Sequence, residues 1–249
     1  MERRRSWLAC IHQNGITRGV ALINSLQPAR VVSMSNLDTE ATRLIADALQ
    51  LDNLMPTAII GPQHAVDALA VHLTQQLSVS AGSRLRLGNH MLTNEPIAPV
   101  CGGQWRVATE DDIDLLMRWE LAFVAECKLP DGSQNLHREI SERIASPTAL
   151  YWLWEVDGRP VATALGRCMP PVGRVGMVYT DPEQRGRGYA GALVAYLSRQ
   201  LLAQGCEAVF LFTDMANPIS NGVYQRIGFR LLGELVQVEL TPTLKVVPL

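Results

Sequence analysis

At 249 residues, with 47% hydrophobic and 18% charged side chains, the chain has ample material for buried cores and too few charges for a disordered, tail-rich protein. A formal charge of −2 leaves no basic footprint for nucleic acid, and no apolar run approaches the roughly 18 residues of a membrane span, so neither partner is expected. Five cysteines without a C-x-x-C pair and five histidines without ligand spacing predict reduced thiols and no metal.

Arg3-Arg4-Arg5 opens like an export signal, but His12, Gln13 and Asn14 interrupt the apolar region such a signal needs, and the cytoplasm is the expected address. Alternating or β-branched runs predict strands near Ser6–His12, Thr17–Ile23 and Arg30–Ser35, with Asn14-Gly15 a two-residue hairpin turn. Asp38 is the expected N-cap of a helix with Ala41, Leu44, Ile45, Ala48 and Leu49 on one face, followed by a strand at Thr57–Ile60. A second helix after Gly61-Pro62 places Val66, Leu69, Ala70 and Leu73 toward the core, and a last strand begins at Arg84–Leu87.

Thr93 to Gly103 holds two prolines and two glycines without periodicity and reads as a linker, with a second domain beginning near Gln104. There Trp105–Ala108 is an expected strand, and Thr109 caps a helix whose buried face carries Leu115, Leu116, Trp119 and Phe123. A loop at Lys128–Ser133 and a helix bearing Leu136, Ile140 and Ile144 come next. Strands near Leu150–Val156, Val161–Arg167 and Arg174–Tyr179 then lead into helix, strand, helix and strand. The β-β-β-α-β-α-β order of the first half thus recurs, as in a diverged tandem repeat.

The two halves differ at the turn before the first repeated helix. In the second half this turn is Gln184-Arg185-Gly186-Arg187-Gly188-Tyr189-Ala190. Its glycines let successive backbone N–H groups converge at a helix N-terminus, and two arginines suit a highly charged ligand, so the turn reads as a phosphate cradle. The first half has Ser35 to Glu40 there, with two acids and no glycine, which would repel a pyrophosphate. Gly186-x-Gly188-x-x-Gly191 also matches the dinucleotide fingerprint, with Asp214 at the distance of a ribose-binding acid. That fingerprint, however, starts almost directly after its strand, whereas here Thr180 to Arg185 intervene.

Downstream, Asn217-Pro218 suits a helix N-cap and first position, Ile219, Val223 and Ile227 are expected toward the core, and Asn217, Ser220, Asn221 and Tyr224 share an adjoining stripe. Arg185, Gly188 and Ala190, followed by Asn217-Pro218-x-Ser220-Asn221-x-x-Tyr224-x-x-x-Gly228-Phe229, resemble the acyl-coenzyme A loop and last helix of the GNAT superfamily of N-acetyltransferases. The resemblance covers about Gln104 to Leu240. It implies an α+β fold built on a mixed sheet, with a degenerate GNAT-like domain at 1–95 that lacks a phosphate loop, a linker at 96–103 and a catalytic domain at 104–249.

The resemblance further implies acetyl-CoA as cosubstrate and a primary amine of a small molecule or protein as acceptor. Backbone groups near Val178, Tyr179 and Thr180 would hold the pantetheine arm and meet the thioester oxygen. Arg185, Gly186, Arg187, Gly188, Tyr189 and Ala190 would surround the phosphates, with Asn217 and Asn221 lining the cofactor cleft. Tyr224 is the expected general acid, since a phenol keeps its proton at neutral pH and can still protonate a thiolate. The strand at Arg174–Tyr179 carries no glutamate, which leaves Glu120, Glu126, Asp214 or a water chain as base. The acceptor pocket is expected between residues 128–134 and the last strands. Two alternatives stand beside this reading: a non-catalytic CoA-binding sensor or scaffold, and an NAD-binding oxidoreductase.

Overall fold

A computed structural model describes residues 6–23, 30–127, 129 and 135–243, which fall into two compact units. Among these residues no helix is long and apolar enough to cross a membrane.

The first unit comprises residues up to Leu87 together with those from Glu234 onward. Its elements are β1 (Trp7–Gln13), β2 (Ile16–Ile23), β3 (Val31–Met34), α1 (Thr39–Leu51), β4 (Ala58–Gly61), α2 (Gln63–Gln76) and the first part of β5 (Val79–Leu92). Asn14 and Gly15, with φ of 53° and 77°, form the left-handed turn that a tight β1–β2 hairpin requires. Asp38 caps α1 by accepting the Ala41 N–H at 2.8 Å. Within this unit β4 pairs in parallel with β3 and antiparallel with the later part of β11 (Arg230–Pro242), which brings Val236, Val238 and Leu240 into a core with Ile45, Leu49, Leu69 and Leu73.

The second unit spans Gly88–Gly233. It contains the end of β5, β6 (Gln104–Val107), α3 (Ile113–Glu126), α4 (Leu136–Ile144), β7 (Ala149–Val156), β8 (Arg159–Met169), β9 (Val172–Thr180), α5 (Tyr189–Ala203), β10 (Ala208–Asp214) and α6 (Pro218–Ile227). Its strands lie in the order β5-β10-β9-β8-β7-β6, antiparallel from β6 to β9 and parallel between β9 and β10. Alternate residues of β7 sort to opposite faces: Trp152 and Trp154 join a core with Leu193, Leu197, Ile227 and Phe229 under α5 and α6, while Tyr151 and Leu153 join Leu116, Trp119 and Ile140 under α3 and α4.

The element order expected for both halves is present, and the fold is the expected mixed α/β sheet. Two local expectations change. The strand expected from Arg84 starts five residues earlier, at Val79, because its exposed polar stretch is held by sheet pairing rather than by an apolar pattern. Ile219, expected toward the core, is 77% exposed, while Tyr224 and Ile227 further along α6 are buried. The loop expected at Lys128–Ser133 lies, apart from Leu129, outside the described residues.

Candidate active site

The centre of the second unit is a break in its sheet. Parallel pairing joins β9 to β10 only at Val172–Arg174 and Ala208–Phe210, although β9 continues to Thr180 and β10 to Asp214. The cause lies in β9, where the partner of β8 advances by three residues, from Gly176 to Tyr179, while β8 moves two, from Leu165 to Thr163. The extra residue is a β-bulge, and Met177 within it has a φ of 48°. Beyond the bulge the Asp181 N–H donates to the Val161 carbonyl on the β8 side at 3.0 Å, so by strand alternation the N–H groups of Thr180 and Val178 point the other way, into the gap. Arg185 Nε donates to the Thr180 carbonyl at 3.1 Å on that open edge.

The gap leads to the N-terminus of α5. Asp181 closes a 3-10 turn at Pro182–Gln184, and Gly186 and Gly188 follow with φ of 78° and 85°. A Cβ at Gly186 would meet nothing within 4 Å, so this glycine answers to backbone conformation rather than crowding. The first helical bond runs from the Ala192 N–H to the Gly188 carbonyl, no side chain caps the helix, and the N–H groups of Tyr189, Ala190 and Gly191 therefore precede any intrahelical acceptor. In α1 the equivalent end is occupied by the Asp38 carboxylate. The sequence thus provides one open anion-binding helix end and one that is self-capped.

Tyr224 descends from α6 and is 9% exposed, with its ring edge-on to Phe229 at 6.1 Å. Burial pushes its phenol well above the usual range, and Cys127 at the end of α3 lies close enough to push in the same direction. The thiol of Cys127, exposed at the end of α3, is pushed up by partial desolvation and then by the charges of Glu126 and Asp214. A bulged strand, an open helix end and a protonated phenol beside the same opening can hold a phosphorylated thioester and protonate what leaves it.

Residues 115–229 match the model of the acetyltransferase (GNAT) family. The chain carries a GNAT acetyltransferase domain. Among solved structures, a Drosophila protein superposes with a TM-score of 0.71 at 13% identity over 96% of this chain and 80% of its own. A GCN5-related N-acetyltransferase from Kribbella flavida gives 0.61 at 18% identity over 95% and 89%. A GNAT-family acetyltransferase from Colwellia psychrerythraea gives 0.58 at 14% over 94% and 85%. At these identities the likeness is one of fold. Acyl transfer is the chemistry of the family, and the dinucleotide reading of Gly186, Gly188 and Gly191 falls with the assignment.

Within this GNAT domain the side chains singled out from the sequence have distinct placements. Arg185 is ion-paired with Glu126 through bonds of 2.8 and 2.9 Å, and its guanidinium lies 5.4 Å from the Tyr179 ring centre. Arg187 is exposed on the same loop and has no ion pair among the described residues. The rings of Tyr179 and Tyr189 are buried in opposite cores, which leaves only their backbone for a ligand. Asn217 caps α6 by accepting the Ser220 N–H at 3.1 Å. Asn221 spends its amide on the carbonyls of Asp214 and Asn217, at 3.0 and 2.8 Å, and accepts from the Thr213 hydroxyl; it ties the end of β10 to the helix carrying Tyr224.

The acids offered by the sequence divide in the same way. Glu120 is held by Arg143 at 3.0 Å and by the Tyr151 hydroxyl beneath α3 and α4, away from the gap. Glu126 is committed to Arg185, and Asp214 accepts the Ala216 N–H through Oδ1 at 2.8 Å with its second oxygen uncommitted to any described group. Sequence reading missed Cys127 and His90. His90 is fully buried on β5, where burial lowers its pKa although nearby Asn221 favours the charged form, and neither ring nitrogen attains hydrogen-bond geometry. No local spacing could reveal either residue, since Cys127 ends α3 and His90 lies on β5.

Proposed function

We propose that the protein moves an acetyl group from acetyl-CoA to a primary amine of a small molecule or protein, by direct transfer with Tyr224 as general acid. The observation that carries this reading is the convergence of the opened β9–β10 gap, the uncapped α5 terminus and the Tyr224 phenol. The backbone N–H groups of Tyr189, Ala190 and Gly191, with Arg187, would hold phosphate, and those of Val178 and Thr180 would bind the acyl carbonyl as negative charge develops on its oxygen. Bound acetyl-CoA supplies an activated acyl group and a thiolate leaving group. Tyr224, kept protonated by burial, delivers its proton to that sulfur. Asp214, with an oxygen to spare, is the acid best placed to accept the amine's proton, directly or through water.

We further propose that residues 1–95 are a degenerate copy of the fold whose self-capped α1 binds no nucleotide. A second reading, a CoA-binding sensor, is favoured by β9, which carries no glutamate to serve as base. Thiol release from acetyl-CoA across an amine panel tests the enzyme reading. Turnover with at least one amine is expected, and tight acetyl-CoA binding without turnover on any amine would replace it with the sensor.

A further inference from the structure

Most arginines fixed inside the second unit sit on carboxylates. Arg106 is bound by Asp112 and Glu155, and Arg143 by Glu120 and Glu139. Arg174 is the exception. It lies on β9, half-buried, with its guanidinium 5.3 Å from the ring centre of Phe212 and 6.0 Å from that of Phe210, and among the described residues no carboxylate pairs with it. Directly across the β8–β9 ladder stands Arg167, so a second positive charge neighbours the first. Burial and Arg167 together depress the Arg174 pKa, the sign of a cation that lacks a compensating anion.

The position of this cation relates it to the gap. Val175 joins the core under α5, so Arg174 faces the opposite side of the sheet, the side on which Phe210, Phe212 and Asp214 alternate along β10. Arg174 pairs with Phe210 at the last rung before the strands part, yet its guanidinium lies nearer Phe212. It therefore leans along β10 toward Asp214, which is two residues further, or roughly 7 Å of strand. A guanidinium stacked on rings keeps its in-plane N–H edges available, and those edges match a carboxylate bidentately.

We propose that Arg174, supported by Phe210 and Phe212, is the acceptor's carboxylate subsite, so that the acceptor is an amino acid, oriented with its carboxylate on Arg174 and its amine toward Asp214 and Tyr224. This rests on the acetyltransferase reading and names its substrate class. The cation and the acid lie at opposite ends of one ridge, an arrangement complementary to a zwitterion and wasted on a simple amine. Arg174 is a specificity residue that touches the acceptor away from the reacting atoms.

The test compares glycine, β-alanine and 5-aminopentanoate with methylamine, ethylamine and butylamine, their decarboxylated partners, in acetyl-CoA-dependent thiol release. At least one acid is expected to exceed its partner in kcat/KM by tenfold or more. Arg174→Gln should raise the KM of that acid by about ten- to a hundredfold with kcat and acetyl-CoA affinity unchanged, and Arg174→Lys should recover part of the loss. Preference for the decarboxylated partners, or equal loss on both by a folded Arg174→Gln protein, would overturn the subsite while leaving the acetyltransferase reading intact. Calorimetric titration with 5-aminopentanoate separates the other failure: binding that needs Arg174, with no turnover of any amine, would uphold the subsite and remove the acetyltransferase reading.

Discussion

Tyr224 owes its proposed role to being nearly sealed from water, and the same burial makes two predictions. Tyr224→Phe keeps the packing against Phe229 and removes only the hydroxyl. It should lower kcat by roughly 10²–10⁴-fold, with acetyl-CoA affinity by calorimetry close to that of the parent. The phenol's folded pKa is raised above its unfolded value of about 10, so the unfolded chain loses this proton first and stability declines as pH rises beyond about 10. Urea midpoints followed from pH 9 to 11 should fall less steeply in Tyr224→Phe. Tyr224 and Asn217 were legible in the sequence because a helix fixes their spacing. The engagement of Arg185 by Glu126 was not, because the partners are 59 residues apart and meet only through the fold. The position of Asn221 on the α6 stripe was legible, whereas its bonds to the carbonyls of Asp214 and Asn217 were not, since the first depends on where β10 ends.

Turns and caps were the most readable elements, since Asn14-Gly15, Asp38 and Asn217 each act through groups within three residues. The bulge in β9 was unreadable: Met177 adopts a left-handed φ with no side-chain signature, and its consequence appears only against β8. Gly188 combines both cases. Its φ of 85° opens α5, and Gly188→Ala should cost about 1–2 kcal/mol and weaken acetyl-CoA binding by misdirecting the N–H groups of Tyr189 and Ala190, read as a lower Tm and a smaller thermal shift with acetyl-CoA. At the start of α3, burial opposes the Asp112 charge, but hydrogen bonds from Arg106 and Thr109 overcome it and hold its carboxyl below the usual range. Its contribution is present above the unfolded carboxylate pKa of about 3.9 and is lost as pH falls through the folded value. Asp112→Asn should therefore lower Tm at pH 7 and leave a shallower loss of stability below pH 4.

Across the whole chain, the order of elements was readable from hydrophobic period and turn residues, but the ownership of the longest strands was not. A break was expected within 96–103, where prolines and glycines cluster, whereas the compact units divide within β5 and β11, at Leu87/Gly88 and Gly233/Glu234. Composition marks flexible chain, and a strand passing from one unit into the next carries no such mark. Val236, Val238 and Leu240 belong to the first unit's core, so Val238→Ala should destabilise that unit by about 1–3 kcal/mol. Amide exchange should quicken in β3 and β4, while β7 and β8 remain protected.

The placement of Glu234–Pro242 also sets an order in time. β4 has its antiparallel neighbour only when residues 236–239 exist, and these are made after every residue of the second unit. At ribosomal rates of about 5–20 residues per second, the first strands wait on the order of 10 s for that neighbour. The part of the protein synthesised first is therefore completed last, and a released chain ending before residue 234 would hold every residue of the second unit and a first unit with an unfilled place in its sheet.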